Sequence, residues 1–267
     1  MQKNSNEVMV ELIKVRKFYP PDVKALKDVS LSVAKGELLF LTGLSGAGKT
    51  TLLRLLYRVE RPDRGLVEID GMDVTRLSGK KLQILRRRIG IVYQDFKLLP
   101  KQSVARNIAL PMEITGRKKS FIRKRTRDLL ERLGLKDKIN AKAGDLSRGE
   151  QQRVAVARSL CNSPDLILAD EPTGNLDSMA GAEIMRIFQE LNENEGITII
   201  FVTHEPEIAA HTRRIVRLHD GRIVSDAPVK NPKRAGERAY ERTVTDLLNH
   251  AVEQSASAEA PAEEATS

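Results

Sequence analysis

Short apolar runs alternate with stretches of helical spacing along most of the 267-residue chain. Val8 to Ile13, Val29 to Val33 and Glu37 to Thr42 predict strands, parted by Pro20-Pro21 and by Lys35-Gly36. The third runs straight into a glycine-rich stretch, after which Leu52, Leu53, Leu55 and Leu56 give Lys49 to Arg58 the spacing of a helix. Leu66 to Ile69 with Asp70-Gly71 predicts a strand and turn, and a basic helix from Lys80 to Arg88 precedes a strand over Ile89 to Tyr93. Helical spacing then takes over, in Val104 to Ile114 and Phe121 to Leu133, with Gly116 and Gly134 as breaks, which reads as an inserted helical subdomain. Leu166 to Ala169 and Ile197 to Val202 are mostly apolar, as strands buried on both faces must be, and the helix Ala180 to Leu191 lies between them. Strands alternating with helices predict an α/β core, closed by a hairpin of Arg214 to Leu218 and Arg222 to Val224 that turns at Asp220-Gly221.

Past Asp226 the pattern changes. Pro228, Pro232 and Gly236 mark a linker, and Tyr240, Val244, Leu247, Leu248 and Ala251 line one face of a predicted helix. Glu253 to Ser267 is acidic and Ala/Ser/Glu-rich, with no large apolar residue, a composition expected to stay disordered.

Composition narrows the field. Hydrophobic residues at 40% suffice for a core, whereas 4% aromatics and no Trp argue against a stacking platform for single-stranded nucleic acid or sugar. The single Cys161 excludes a disulfide framework and makes a reducing compartment the default. The greasiest run, Ile197 to Val202, falls far short of the roughly 18 apolar residues that a membrane span needs, and Met1 to Val10 has no apolar segment of the signal-peptide kind. The expectation is a cytoplasmic chain whose membrane role, if any, runs through a partner.

The charge balance, 45 Lys plus Arg against 36 Asp plus Glu, gives +9 and fits an anionic partner without choosing one. Arg117, Lys118, Lys119, Arg123, Lys124, Arg125 and Arg127 come with no acid among them, and Lys80, Lys81, Arg86, Arg87 and Arg88 form a second cluster. Each such side chain near an anionic leaflet contributes about 1 kcal/mol; solvated helix faces account for the clusters equally well.

Candidate chemistry begins at Gly43-Leu44-Ser45-Gly46-Ala47-Gly48-Lys49-Thr50, which satisfies G-x-x-x-x-G-K-[ST] between an apolar strand and a helix. Such a loop turns backbone N–H groups and a helix N-terminus toward phosphate oxygens; the lysine neutralises β and γ charge and the Thr50 hydroxyl ligates Mg²⁺. At ordinary residue frequencies a chance match in a chain of this length has odds of roughly one per cent. Leu166 to Ala169 then ends in Asp170-Glu171, two carboxylates where a buried strand reaches solvent. Alone this is common; beside a phosphate loop, Asp170 is the expected metal-holding acid of a P-loop NTPase.

Leu146-Ser147-Arg148-Gly149-Glu150-Gln151-Gln152-Arg153 resembles the signature LSGGQ or LSGGE, followed by QQR, of the ATP-binding cassette (ABC) ATPases. A serine N-cap with Glu150 in a capping box accounts for Ser147 and Glu150, but not for the whole constellation. The resemblance implies an α/β P-loop NTPase fold of ABC-ATPase type: a mostly parallel core sheet, an N-terminal antiparallel β subdomain and a helical subdomain over about residues 95–160. Residues 1–226 would form the nucleotide-binding domain, 227–252 a linker and amphipathic helix, and 253–267 a tail.

The resemblance also implies roles. Nucleotide contacts fall to Tyr19 (stacking on adenine), Gly43, Leu44, Ser45, Gly46, Ala47, Gly48, Lys49, Thr50, Thr51 and Gln94. Ser147, Gly149 and Glu150 would reach the nucleotide of a second subunit in a head-to-tail homodimer, with Asn175-Leu176-Asp177 crossing its interface. Mg²⁺ would sit on Thr50, Asp170 and Gln94, Glu171 would activate water, His204 would contact the γ-phosphate, and Lys49 would hold it. Taken singly, Tyr19 is also a strand-edge aromatic, Gln94 a loop residue and His204 a helix cap. Arg148 replaces the first signature glycine, and either points to solvent or reaches a phosphate or a carboxylate.

Narrower strings, Leu41 to Tyr57, Arg86 to Gly90 and Gln94-Asp95-Phe96-Lys97-Leu98-Leu99-Pro100, look very like the cell-division ATP-binding FtsE proteins. Ala169 to Asp177 is shared with the lipoprotein-releasing LolD and macrolide-exporting MacB ATPases. Glu205, where Asp is common, and the extension past about 230 depart from FtsE. This implies ATP and Mg²⁺ as ligands, a peripheral place on the cytoplasmic face of the inner membrane, and an FtsX-like polytopic membrane partner acting on cell-wall hydrolases. A LolD/MacB-type transporter ATPase is the alternative. A soluble nucleic-acid cassette is a third class, and no nucleic acid is expected, because the chain has neither a second cassette nor long coiled coils.

Overall fold

The computed structural model describes residues 7–204, 211–230 and 232–235; the predicted helix from Tyr240 and the acidic tail lie outside them. Its strands are β1 (Val8–Tyr19), β2 (Val23–Ala34), β3 (Leu38–Thr42), β4 (Arg64–Ile69), β5 (Met72–Asp73), β6 (Ile89–Tyr93), β7 (Leu166–Asp170), β8 (Thr198–Thr203), β9 (Arg214–His219) and β10 (Arg222–Pro228). Its helices are α1 (Lys49–Leu56), α2 (Gly79–Arg87), α3 (Val104–Ile114), α4 (Lys119–Arg132), α5 (Arg148–Leu160) and α6 (Ser178–Glu195). An antiparallel sheet runs β2-β1-β4-β5, and a second sheet runs β10-β9-β3-β8-β7-β6, parallel except at the β9–β10 hairpin.

Successive side chains of a strand point to opposite faces, and the central strands use both faces for burial. Phe40, Ile167, Ala169, Ile199 and Phe201 face a core filled by α3, α4, α5 and α6. Their neighbours Leu39, Leu41, Leu166, Leu168, Ile200 and Val202 face a second core against α1 and the antiparallel sheet. Phe40 and Phe201 stack at 4.7 Å between ring centroids, and Phe188 of α6 meets Phe201 edge-on at 5.4 Å. Such aromatic pairs add about 0.5–1.5 kcal/mol beyond their buried area. In contrast β2, with one face in water, alternates buried and exposed residues from Val29 to Val33.

β1 continues six residues past the predicted end at Ile13, and β2 starts at Val23 rather than Val29. The pairing shifts register between Leu12 and Lys17, with Lys14 (φ 47°) and Asp28 (φ 56°) in the left-handed region. These irregularities break the period of two that marks a strand. Arg16 closes the gap with two hydrogen bonds to Asp28, at 2.5 and 2.7 Å.

Part of the second basic cluster is structural. Arg88 binds Asp70 at 2.5 Å and Asp165 at 2.6 Å, so one guanidinium ties the antiparallel sheet to the chain entering β7, and Lys35 also binds Asp70, at 2.8 Å. Arg86 turns inward to the carbonyl of Arg58 at 2.9 Å. β10 runs on to Pro228, past the predicted end of the hairpin, and Lys233, Arg234 and Ala235 pack on α6 through Gln189 and Glu193.

Candidate active site

Parallel strands end together, so their C-terminal loops share one edge. Thr42 pairs with Thr203, Asp170 with Val202, and Tyr93 with Asp170. The next residues, Gly43, His204, Glu171 and Gln94, therefore emerge side by side, and this topology, not any local motif, gathers the site.

From β3 the chain enters the 43–48 loop. Gly43 (φ 151°) and Gly48 (φ 106°) have no room for a side chain: a Cβ would lie 2.3 Å from the Leu218 carbonyl oxygen at the first and 2.5 Å from that of Ala25 at the second. Leu44, Ser45 and Gly46 form the exposed tip, while Ala47, Gly48 and Lys49 are buried. α1 opens at Gly48 without a side-chain cap and without an acid in its first turn, so the amides of Lys49, Thr50 and Thr51 offer bare positive dipole. Lys49 Nζ is folded back on the loop, donating to the carbonyls of Gly43 (2.7 Å) and Leu44 (3.1 Å). This is a cradle shaped for phosphate oxygens, with its cation already inside.

Facing it, Thr50 Oγ1 donates to Asp170 Oδ1 at 3.3 Å. A hydroxyl and a carboxylate that close are hard oxygen donors suited to Mg²⁺, which takes one or two protein oxygens and fills its other positions with phosphate and water. Among the described residues no group of three His, Cys, Asp or Glu forms a protein-only metal cage. Burial pushes the Asp170 carboxyl above its usual range; the Thr50 hydrogen bond opposes this, and the charge of Glu171 adds to it.

Glu171 holds a left-handed backbone (φ 47°), which a non-glycine residue adopts only under strain, about 1–3 kcal/mol. Its amide donates to the Val202 carbonyl at 3.0 Å. One carboxylate oxygen lies 3.7 Å from Lys49 Nζ, the other 3.1 Å from His204 Nδ1. The structure thus joins Lys49, Glu171 and His204 in one contact chain beside the Thr50–Asp170 pair.

Gln94 is placed differently. Its carbonyl accepts from Asn175 Nδ2 at 2.8 Å, and its side-chain amide lies against Gly174, where a Cβ would meet Nε2 at 2.9 Å. Among the described residues no hydrogen bond joins Gln94 to Thr50 or Asp170. Tyr19, expected to present its ring, donates its hydroxyl to Glu60 beside Thr51, with Lys17 Nζ 5.2 Å from the ring centroid. Burial, chiefly, raises its phenol pKa.

Ser147, Gly149 and Glu150 start α5. Ser147 Oγ accepts from the Glu150 amide at 3.3 Å, and the Glu150 carboxylate accepts from the Ser147 amide at 2.9 Å, which holds that carboxyl below its usual range. So the capping box is formed, and Gly149 lets α5 approach Ala180, which a Cβ would meet at 3.2 Å. Among the described residues no hydrogen bond or ion pair connects Ser147 to Gln151 with the phosphate loop of the same chain. Arg148 is exposed to solvent, as one of the two alternatives had it, and its guanidinium also reaches the Asn175 carbonyl at 3.5 Å; among the described residues it has no carboxylate partner.

One residue that holds a loop beside the site escaped the sequence reading. Arg158 reaches from α5 to two consecutive left-handed residues, donating to the carbonyls of Phe96 (φ 59°) at 2.7 Å and of Lys97 (φ 48°) at 2.5 Å. It clamps the loop after Gln94 in a conformation that neither residue favours alone. The available signal was a cation inside the otherwise buried run Val154 to Leu160.

The sequence profile of the ABC transporter family matches residues 26–174, more than half of the chain. The chain belongs to that family, as an ATP-binding and ATP-hydrolysing cassette. It is 43% identical over 219 residues to the cell division ATP-binding protein FtsE of Bacillus subtilis (strain 168), covering 82% of this chain and 96% of that one. It is 46% identical over 221 residues to the macrolide export ATP-binding/permease protein MacB of Syntrophobacter fumaroxidans, covering 80% of this chain but 31% of that one. The dimeric post-hydrolysis structure of the ATP-binding cassette MJ0796 with ADP and Pi superposes with a TM-score of 0.77 at 37% identity, over 84% of this chain and all of that one.

Two outcomes are expected. Arg158→Ala removes two charge-assisted hydrogen bonds from strained carbonyls and destabilises the fold by about 2–3 kcal/mol in urea unfolding. Arg158→Lys, which cannot span both carbonyls, recovers less than half of that. For Asp170, a carboxyl held above its unfolded value favours the fold when protonated, and that contribution is lost as pH rises through the raised value. Asp170→Asn therefore melts at a higher temperature than the parent at pH 7 without nucleotide, and the difference disappears near pH 4, read by thermal scans across pH.

Proposed function

We propose that this chain is the ATPase subunit of an FtsEX-like complex in bacterial cell division, acting through an FtsX-like polytopic membrane protein to control cell-wall hydrolases. The carrying observation is the match to FtsE of Bacillus subtilis, 43% identical along 96% of that protein. Peripheral attachment to the cytoplasmic face of the inner membrane follows from this reading; among the described residues no helix is long and apolar enough to cross a membrane. A LolD/MacB-type transporter ATPase is the second reading, favoured by the 46% identity to MacB.

In the proposed mechanism the amides of Gly43 to Thr51 and the Lys49 ammonium bind the β- and γ-phosphates of ATP, while Tyr19 leaves Glu60 to stack on the adenine. Thr50 and Asp170, with Gln94 brought in from its loop, hold Mg²⁺, which supplies charge neutralisation on the phosphate oxygens. Glu171, already strained into the cleft, accepts a proton from the attacking water, and His204 steadies the γ-phosphate. Ser147, Gly149 and Glu150 complete the site of a second copy, as the dimeric state of MJ0796 supports. No nucleic acid is required.

Loss of a general base lowers rate by about 10² to 10⁴. Glu171→Gln is expected to bind ATP normally and to release phosphate at least a hundredfold more slowly; near-parental turnover removes Glu171 from this role. Partner identity is read by isolating the tagged chain from its own cells in mild detergent. Stoichiometric recovery of an FtsX-like membrane protein bears out the division reading, whereas recovery of a lipoprotein- or drug-handling permease replaces it with the transporter reading.

A further inference from the structure

The corner between α3 and α4 carries a surface that the nucleotide site does not use. From Ile114 to Arg127 the chain holds seven cations and no acid. Arg125 alone turns inward, to the carbonyl of Leu160 at 2.9 Å and the hydroxyl of Ser163 at 3.4 Å. The other six, Arg117, Lys118, Lys119, Arg123, Lys124 and Arg127, are exposed, and among the described residues none has an ion-pair partner. Of the acids that flank the stretch, Glu113 is taken by Arg106, and Asp128, next to Arg127, forms no ion pair among the described residues.

Two large apolar side chains stand among these cations, Ile114 at 74% and Phe121 at 43% exposure, with the Arg117 guanidinium 5.4 Å from the Phe121 ring centroid. They are not surplus core residues, because the inward face of α4 is already filled by Ile122, Thr126, Leu129 and Leu130. The first turn of α4 also lacks any acid, so cations crowd the positive end of the helix dipole, an arrangement that folding alone disfavours.

We propose that this corner lies directly on an anionic lipid bilayer, with the cations on headgroup phosphates and Ile114 and Phe121 in the boundary between headgroups and acyl chains. Charge complementarity argues for an anionic occupant, and the apolar pair argues for a lipid surface. Single-stranded nucleic acid would call for several stacking rings; the corner has one, and Arg117 covers it. A duplex would use the cations alone and leave Ile114 and Phe121 without a role. The inference rests on the membrane-side placement proposed above, but not on which membrane protein is the partner.

The test is flotation of the full chain with vesicles of phosphatidylcholine, alone or with about one-third phosphatidylglycerol, near physiological salt. Binding to the anionic vesicles is expected to be at least tenfold stronger, and to fall steeply as salt is raised. At roughly fivefold per cation, the combined Lys118→Gln, Lys119→Gln and Lys124→Gln variant should bind about a hundredfold more weakly, with unchanged binding of a fluorescent ATP analogue. Should that variant fold poorly, as a lost ATP signal would show, Ile114→Ser with Phe121→Ser decides, its expected effect being a severalfold loss at every salt concentration. Equal binding to both kinds of vesicle overturns the proposal, as does parental binding by the variants. Displacement from vesicles by duplex DNA at equal charge assigns the surface to nucleic acid instead. Because the readout needs neither hydrolysis nor a protein partner, its failure leaves the division reading standing, and loss of that reading leaves the lipid contact standing.

Discussion

In-register parallel pairing of β3 with β8 and of β8 with β7 decides where the chemistry falls. Thr42 opposite Thr203, and Asp170 opposite Val202, release their loops at one edge of the sheet. A slip of one residue would reverse which face each side chain meets. Phe201 and Ile200 would exchange cores, and Asp170 would move away from Thr50. The stacked Phe40–Phe201 pair and the two hydrophobic layers that use alternate residues of the same strands penalise that slip. Precision at the site is thus inherited from packing behind it.

The cleft supplies its cation with an anion of its own. Lys49 is held by two loop carbonyls and faces Glu171, whose other oxygen meets His204. The strained Glu171 backbone is held by its amide bond to the Val202 carbonyl, and its carboxylate by Lys49 and His204.

Much of this was legible in the sequence, for physical reasons that differ by element. β3, β7 and β8 are apolar without interruption because both faces are covered, and the phosphate loop needs glycine where Leu218 and Ala25 leave no space. Asp170 and Glu171 stood out as the first polar residues after a buried strand. The outer half of β1 and the first half of β2 were hidden by irregular pairing around Lys14 and Asp28. Where Arg148 and Arg158 reach was not legible, because their acceptors are backbone carbonyls far along the chain, which carry no residue-type signal. Gln94 and Tyr19 were singled out by resemblance alone, and their observed partners, Asn175 and Glu60, depend on packing that no sequence pattern carries.

α5 has a mechanical meaning beyond its caps. Its first turn carries Ser147 and Gly149, its middle is fastened by Gln152 to the Pro172 carbonyl, next to Glu171, and near its far end Arg158 grips Phe96 and Lys97. Eleven residues at 1.5 Å each make it a rod of roughly 17 Å between those ends. A stiff rod transmits displacement without storing it. One helix thus spaces the loop after Gln94, the turn at Ser147 and the end of β7 before Glu171, and Asn175, which donates to the Gln94 carbonyl and accepts from Arg148, ties the first two a second time.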